Sequence, residues 1–432
     1  MMAVLRVERA IGQVDCEPQG NLLESCVTSL RRSGLLEMLA AEHARVIWIA
    51  APPGYGKTTL LVQFSQEAAA RGERTSWLTV DETDCHPTEF AAHLCEALAA
   101  FVPSLGERRP GDPGTLLIDA LREAGSALTG SLCLDDCHFL ASEQSLRLLG
   151  ILLRRAPPSL RILAAARGQP AVPLAELELK GHARRLGAAD LSFTEEEARA
   201  FLGEGVDEPT VEFLLRRTQG WPLALQLERG RPVTAQGPTL ARYFSETTLN
   251  GLPASLREFI TDIAVLERIN GDLANAARER SDSWTLLEEV EQRGLFLSVL
   301  DAQREWFQLH PLFREFLENH LHRTNAQHER EIRRRAAKWL AGRQAWPEAI
   351  RQAMRSGDID LAARIVDETH HLEVMLRFGG SALGGLDQLP DEHLLRYPRL
   401  ALCVAYAHFQ EGRLLHARRL LDAVGVGDGT AA

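Results

Sequence analysis

Short apolar runs alternate with amphipathic stretches between about residues 44 and 191, and this pattern predicts strands separated by helices. Each run has four to seven residues, is rich in β-branched or small apolar side chains, and ends at turn or charged residues. Runs that are apolar on both faces and alternate with helices indicate a parallel sheet covered on both sides. The predicted strands are 46–50, 75–80, 131–134 and 160–166, and the predicted helices between them include 60–70, 87–100 and 142–155.

The pattern changes after Leu191, where helical periodicity replaces the apolar runs. A capping box that begins at Thr194 opens a short helix, and a second helix over 209–218 ends before the Gly-Trp-Pro sequence at 220–222. More helices follow, and then two short apolar runs are separated by a charged turn at 301–305, which predicts a β-hairpin. Helices followed by such a hairpin are typical of a winged helix.

The sequence from about residue 325 onward is entirely helical in its periodicity, with short breaks at Gly, Asp and Pro residues. The predicted helices over 398–410 and 414–424 together resemble one tetratricopeptide-type unit. Solenoids need about three repeats before neighbouring units cover one another's apolar faces. Because only one or two units are present, we expect either an array that ends early or a last helix pair that packs elsewhere.

The amino-acid composition predicts a globular protein without a membrane span. With 432 residues, 45% of them hydrophobic and 25% charged, the chain has ordinary globular content and room for roughly three domains. No apolar stretch reaches the ~18 residues that cross a bilayer, and charges interrupt the N-terminal residues where a signal peptide would be apolar. The seven cysteines are odd in number and scattered. These features predict a cytoplasmic protein with no membrane partner and no disulfide framework.

The charge balance argues against nucleic-acid binding by the chain's own surface. The net charge is −11 and the pI is near 5.8, whereas a protein that binds nucleic acid along its surface usually has a basic face. The arginine clusters lie among acids or leucines, which favours solvated helix faces. Lysine occurs only at Lys57, Lys180 and Lys338, so the setting of Lys57 is the more informative.

The strongest chemical signal is the sequence Ala-Pro-Pro-Gly-Tyr-Gly-Lys-Thr-Thr at 51–59, which follows a predicted strand and opens a predicted helix. This is the context of a P-loop, whose glycines let backbone N–H groups point at nucleotide phosphates. Lys57 is expected to reach the β- and γ-phosphates, and the Thr58 hydroxyl to bind Mg²⁺. Position 51 carries Ala where the general pattern has Gly, and the alternative is a glycine-rich turn without a ligand. The predicted nucleotide-binding residues of this loop are Pro53, Gly54, Tyr55, Gly56, Lys57, Thr58 and Thr59.

A second motif, an apolar strand that ends in Asp135 and Asp136, has the Walker B pattern. Such a strand delivers a carboxylate to the metal at the carboxyl edge of the sheet, so we assign Asp135 to Mg²⁺. Asp136 is the predicted catalytic residue, at the position where fast ATPases usually carry the Glu that orients water. The shorter Asp side chain should lie further from that water, which predicts slow hydrolysis. Without the P-loop upstream, the motif would equally fit a strand followed by a turn.

A third candidate is Arg167, which directly follows the predicted strand 160–166. An arginine at the carboxyl end of a parallel strand beside the phosphates can sense the γ-phosphate through charged hydrogen bonds. The alternative is a solvated arginine at the end of a strand.

The motifs occur in an order that resembles the STAND signal-transduction ATPases, most closely the MalT-like bacterial regulators. The resemblance covers roughly residues 40–424, and that subgroup commonly carries Ala at the first position of the loop. The matching segments, in chain order, are 51–60, Asp135-Asp136, Arg167, 191–194, 220–222 and 309–313.

The resemblance implies roles for two further residues. Pro222 would pack on the adenine ring, and His310 in the winged helix would contact the β-phosphate of ADP and hold the protein in its inactive state. A donor on a separate domain gives ADP different contacts in closed and open states, as a ligand-driven switch requires. The alternatives are that Pro222 only breaks a helix and that His310 caps the helix begun by Pro311. Asp81 and Asp84 resemble an acidic family motif, for which the residues suggest no role.

The family's activators also carry a C-terminal LuxR-type helix-turn-helix after a long repeat domain, and no segment after Val424 matches it. The candidate DNA-reading segments of the winged helix are acidic, which opposes phosphate binding. We therefore expect no direct DNA binding by this chain. The resemblance further implies a small-molecule inducer at the helical repeats and self-association of the ATP-bound state.

These observations predict a multidomain α/β and α protein that acts as an ATP/ADP-dependent signalling switch with slow, Mg²⁺-dependent hydrolysis. A catalytic P-loop NTPase that performs mechanical or remodelling work, and a truncated paralogue that no longer signals, remain alternatives. The predicted domains are an N-terminal segment 1–40, a P-loop nucleotide-binding domain 41–191, a helical subdomain 192–240, a winged helix 241–324, and a helical arm with the start of tetratricopeptide-like repeats 325–432.

Overall fold

The computed structural model describes residues 30–105, 112–169, 172–203, 205–229, 238–368 and 394–425. The chain forms two compact units. The first comprises the described residues up to Asn250 together with Val290–Phe296, and the second comprises Gly251–Glu289 and the described residues from Leu297 onward. No helix within the described ranges is long and apolar enough to cross a membrane. The predictions for residues 1–29, for the breaks near 379–380 and 389–391, and for the tail beyond 425 lie outside the described residues.

The first unit is built on a five-stranded sheet in which every neighbouring pair of strands is parallel, and the predicted parallel sheet is thereby confirmed. The strand order is β2-β3-β4-β1-β5, so that β4 lies between β1 and β3. All carboxyl ends therefore meet at one edge of the sheet. The strands are β1 Val46–Ala50, β2 Thr75–Thr79, β3 Gly130–Asp135, β4 Leu160–Ala166 and β5 Ala183–Leu186.

Helices connect these strands, and a helical region follows β5. The predicted capping box at Thr194 is present: its side chain accepts from Glu197 N–H, and the Glu197 carboxylate accepts from Thr194 N–H. The helices of this part are α1 Ser33–Ala41, α2 Lys57–Ala70, α3 Pro87–Ala99, α4 Pro113–Ala124, α5 Glu143–Arg155, α6 Ala175–Leu179, α7 Ala188–Leu191, α8 Glu195–Leu202, α9 Glu208–Thr218, α10 Pro222–Glu228 and α11 Pro238–Phe244.

The core of the nucleotide-binding part lies between the sheet and α3, α4 and α5. Strand residues such as Leu78 and Ile162 are fully buried together with Leu94, Leu117 and Leu149 from the three helices. Burial explains why the interior strands β1, β3 and β4 are mostly apolar. This packing fixes the carboxyl ends of the strands, where the predicted chemical groups lie.

The second unit begins with α12 Ala254–Ile263, α13 Gly271–Arg278 and α14 Ser283–Gln292, the last of which ends in the first unit. The predicted hairpin follows as β6 Leu297–Val299 and β7 Phe307–Leu309, which pair antiparallel, and Ile269 forms a bridge to Phe307. The helices and hairpin confirm the winged helix. The remaining helices are α15 Pro311–Gly342, which is broken at Asn325, α16 Trp346–Arg355, α17 Ile359–Glu368, α18 Pro398–Gln410 and α19 Leu414–Ala423.

Candidate nucleotide-binding site

The predicted P-loop connects β1 to α2 at the carboxyl edge of the sheet. Gly54 and Gly56 have φ values of +81° and +78°, and Gly56 is the N-cap of α2. The Ala51 N–H donates to the Ala166 carbonyl over 3.3 Å, which anchors the start of the loop to β4. A loop that curls in this way at a helix N-terminus presents backbone N–H groups to an anion.

Lys57 lies across this loop with a side chain that is almost fully buried. Its Nζ donates to the carbonyl oxygens of Ala51 at 2.8 Å and Pro52 at 3.1 Å. Burial lowers the pKa of Lys57 to about 8, although the carboxylates of Asp135 and Asp136 oppose the shift. The ammonium group is therefore held against the first two residues of the loop. Its contact with a phosphate stays a prediction.

The two predicted Mg²⁺ ligands are in contact. Asp135 ends β3 with only 3% of its surface exposed, and its carboxylate accepts the N–H of Asp136 at 2.9 Å and the hydroxyl of Thr58. Burial, followed by the neighbouring charge of Asp136, raises the pKa of Asp135 to about 6. A buried carboxylate beside a hydroxyl is the hard oxygen donor set that Mg²⁺ prefers, so the residues present fit this metal.

Asp136 and Arg167 complete the cluster because β4 is the strand between β1 and β3. Asp136 has a left-handed backbone, with φ of +55°, at the start of a tight turn over Cys137–Phe139. Burial raises the pKa of the Asp136 carboxyl, while the positive charges of Lys57 and Arg167 oppose the rise. Strand order thus brings together groups that are 110 positions apart in the chain (Lys57 and Arg167).

The Gly-Trp-Pro segment contacts the P-loop directly. The indole Nε1–H of Trp221 donates to the Pro53 carbonyl at 3.1 Å, and the Leu223 N–H donates to the Gly54 carbonyl at 3.2 Å. Pro222 lies between these two anchors as the first residue of α10. A Cβ at Gly54 would lie 2.7 Å from the Leu223 Cβ, so this glycine is required by packing as well as by backbone conformation. The structure therefore puts Pro222 beside the loop, and adenine packing on it stays a prediction.

Trp221 itself is the residue that the sequence analysis missed. It is fully buried, and its ring lies against those of Tyr55, Phe244 and Phe296, with centroid distances of 6.2, 5.5 and 5.1 Å. The buried ring of Tyr55 also has its phenol pKa raised by burial. A tryptophan within a sequence that otherwise marks a helix break was the available signal, because turns seldom need a large apolar side chain.

Asp81 and Asp84 have a structural role. Asp81 and Asp84 form a capping box over the short helical turn after β2, and the carboxylate of the fully buried Asp84 also contacts His93 Nδ1 at 2.6 Å. The Ser145 hydroxyl donates to the Asp84 carbonyl at 2.8 Å. These contacts fasten the turn to α3 and α5, which explains the acidic pair without a ligand.

His310 lies in the second unit, at the N-cap of α15, and is 4% exposed. Its side chain makes no capping hydrogen bond, and the helix begins with Pro311, whose fixed φ suits a first turn. Capping therefore does not explain why a histidine is buried here. The contact of His310 with ADP stays a prediction.

Comparison with known proteins agrees with this reading of the loop and the hairpin. Residues 40–165 match the family described as an AAA domain, and residues 245–329 match the MalT winged helix domain. The serine/threonine-protein kinase PknK of Mycobacterium tuberculosis is 30% identical over 413 residues, which cover 89% of this chain and 37% of PknK. The transcriptional regulator MalT of Cronobacter sakazakii is 29% identical over 427 residues, which cover 91% of this chain and 46% of MalT.

The chain thus spans less than half the length of these curated relatives. Among solved structures, a STAND protein with a tetratricopeptide repeat sensor from Pyrococcus horikoshii matches with a TM-score of 0.37 and 17% identity, covering 92% of this chain and 58% of that chain. The P-loop geometry, the parallel sheet and the two domain matches show a P-loop ATPase fold together with a winged helix of the MalT type, and over most of its length the chain is similar to the MalT-like regulators.

Proposed function

We propose that the chain is the nucleotide-controlled switch of a MalT-like transcriptional regulator that binds ATP or ADP with Mg²⁺. The observation that supports this proposal is the hydrogen bond between the Thr58 hydroxyl and the Asp135 carboxylate, beside the buried ammonium group of Lys57. These groups come from the start of α2 and the end of β3, which meet because β1 and β3 are held in one sheet. Such an arrangement has no evident purpose in packing, since it buries two charges and a hydroxyl.

Each residue has a distinct role in this proposal. The loop from Pro53 to Thr59 holds the phosphates, and Lys57 exchanges its two carbonyl partners for phosphate oxygens. Thr58 and Asp135 hold Mg²⁺, which supplies positive charge against the phosphate oxygens when it is bound. Arg167 senses the γ-phosphate from the end of β4. Pro222 packs on the adenine ring, next to the part of the loop that Trp221 fastens.

Asp136 orients the water that attacks the γ-phosphate, and it sets a slow rate. An aspartate reaches less far than a glutamate at the same position, so water is held less closely. Slow turnover suits a switch because the bound nucleotide then persists long enough to define a state. The ADP state is closed and inactive through His310, whereas ATP together with an inducer at the helical repeats permits self-association in the cytoplasm. A LuxR-type output module is not provided by the described residues.

The decisive experiment is to identify the nucleotide released when freshly purified protein is denatured. We expect ADP, and we expect Lys57→Ala protein to release none and to melt at a lower temperature. Lys180→Ala is the matched control, because Lys180 is exposed and forms a surface ion pair with Glu176 of α6. Wild-type protein that is free of nucleotide and shows no melting shift with Mg²⁺ and ATP contradicts the proposal.

Turnover separates the switch from a work-performing NTPase. We expect steady-state ATP hydrolysis well below about one per second, the low end of ordinary enzyme turnover. A rate near or above that value assigns the chain to the catalytic class instead. The measurement needs no partner protein, because the residues in question all belong to the first unit.

A further inference from the structure

We propose that His138 is a positioning residue for ATP hydrolysis, whose Nδ1–H holds the Asp136 carboxylate in the orientation that directs the attacking water. This inference rests on the proposed ATPase function, and it adds a residue that neither the sequence motifs nor the family resemblance assigned. It concerns the turn Cys137–Phe139, which directly follows the Walker B strand.

The first argument is the backbone of Asp136. A left-handed φ of +55° is uncommon for a residue with a Cβ, and at active sites such conformations serve to aim a side chain. The turn that follows is closed by the Phe139 N–H, which donates to the Asp136 carbonyl at 3.0 Å. This turn returns the His138 ring to the Asp136 carboxylate, with Nδ1 3.5 Å from Oδ1.

The second argument is the hydrogen bonding of the His138 ring. Both of its nitrogens are shielded from solvent and have no hydrogen-bond partner among the described residues. Buried polar atoms are nearly always paired, and exceptions in native proteins call for an explanation such as a catalytic role. The ring packs on Phe139, with centroids 4.4 Å apart, so its plane is held while its nitrogens remain available.

Burial and the neighbouring positive charges determine the protonation state of His138. Burial, with the positive charges of Arg167 and Lys57, lowers the pKa of His138 to about 3, so the ring is neutral at physiological pH. A neutral imidazole has one donor and one acceptor. Because a carboxylate only accepts, Nδ1 carries the proton and faces Asp136, which leaves Nε2 unprotonated.

His138 therefore gains no proton during the reaction. In the hydrolysis step a water oxygen bonds to the γ-phosphorus, the bond from phosphorus to the bridging oxygen breaks, and the proton of the water passes to the Asp136 carboxylate. The His138 Nδ1–H stays on the ring. The distance from Nδ1 to the Asp136 Oδ1 atom, 3.5 Å in this structure, shortens to hydrogen-bond length when nucleotide binds, as is common for catalytic contacts. The opposite explanation is that the ring only fills space beside Phe139.

Three substitutions distinguish a positioning role from a packing role. His138→Asn retains an N–H near the Nδ1 position, His138→Gln moves it to the Nε2 position, and His138→Phe keeps the ring without nitrogen. Single-turnover ATP hydrolysis is measured with saturating Mg²⁺, together with ADP affinity and melting temperature. We expect His138→Asn to stay within about threefold of wild type, and His138→Gln and His138→Phe to lose about tenfold or more in rate at unchanged ADP affinity.

A double-variant comparison links the effect to Asp136. If His138 acts only through that carboxylate, His138→Phe adds no further loss in an Asp136→Asn background. Equal rates for His138→Asn and His138→Gln, or a wild-type rate for His138→Phe, overturn the inference. The proposed function survives that result as long as Asp136→Asn and Lys57→Ala are impaired. A wild-type protein that binds ADP but hydrolyses no ATP overturns the inference and the slow ATPase together.

Discussion

If Asp135 binds Mg²⁺ as proposed, its buried carboxyl makes metal binding depend on pH. Its pKa is raised to about 6, so the carboxyl is mainly protonated below that pH and cannot bind Mg²⁺. We expect Mg²⁺-dependent ATP affinity to rise by about fivefold between pH 5 and 6 and to level off above pH 7. Titration calorimetry at several pH values measures this dependence.

The matched control for that titration is Asp135→Asn, which is neutral at every pH. Its weaker Mg²⁺-dependent affinity should not vary between pH 5 and 7, and a wild-type affinity that is equally flat contradicts the assignment. The stability of the unbound protein should change in the opposite sense. Because the folded pKa lies above the ordinary value of 3.8, the folded chain binds the extra proton, and this contribution to stability is lost as pH rises from about 4 to 6.

Local sequence predicts some residues of the site and not others. Lys57 and Thr58 were predictable because they follow a glycine-rich loop after a strand, and Asp135 because it ends a strand; strand ends meet at one sheet edge. Trp221 and the Asp84–His93 contact were not, because they depend on side-chain partners from other elements. The role of His138 depends on a turn whose backbone conformation no periodicity reveals.

At the level of elements, the close contact between the P-loop and α10 predicts that any side chain at position 54 lowers the stability of the fold. Gly54→Ala adds a Cβ 2.7 Å from the Leu223 Cβ and 2.9 Å from the Trp221 indole nitrogen, at a φ of +81°. We expect a fall in the free energy of unfolding of about 2–4 kcal/mol, composed of backbone strain and overpacking, together with weaker ADP binding. Denaturant unfolding and ADP titration measure the two effects.

Gly72→Ala is the control that separates the effect of backbone strain from the effect of the steric clash in Gly54→Ala. Gly72 has a φ of +76°, and no atom lies within 4 Å of where its Cβ would be. It should therefore lose only the strain, about 1–2 kcal/mol, with ADP affinity unchanged. If the two variants lose the same stability and Gly54→Ala binds ADP normally, close packing of α10 on the loop has no importance.

Elements with a strong pattern were predictable, whereas β5 and α4, whose patterns are weak, were missed. The interior strands are continuous apolar runs because both faces are covered. Strand β5 lies at the edge of the sheet, and its Arg184 and Arg185 are exposed between a buried Ala183 and Leu186, so it has no apolar run. Helix α4 follows residues rich in Gly and Pro, and only the Asp112 cap, which accepts from Thr115 N–H at 2.8 Å, marks its beginning.

At the level of the whole molecule, the segment Val290–Phe296 connects the nucleotide site to the winged helix through the chain itself. It belongs to the first unit although the residues before and after it belong to the second. A Cβ at Gly294 would collide with the Arg167 carbonyl, and Phe296 lies in the aromatic cluster of Trp221. The segment is therefore packed against the end of β4 within the first unit, while its covalent neighbours on both sides belong to the second. A linear division of the sequence into domains cannot reveal such an insertion.

The switch as a whole is tested at His310, which belongs to the second unit. If His310 contacts the β-phosphate of ADP, His310→Ala removes one charge-assisted hydrogen bond, so ADP should bind about tenfold more weakly and ATP-dependent self-association should increase. His408→Ala is the matched control, because His408 is equally buried but belongs to the terminal helix pair. Affinity is measured by titration and self-association by sedimentation with ADP or with a slowly hydrolysed ATP analogue. Unchanged ADP affinity in His310→Ala, with both variants folded, removes this residue from the mechanism.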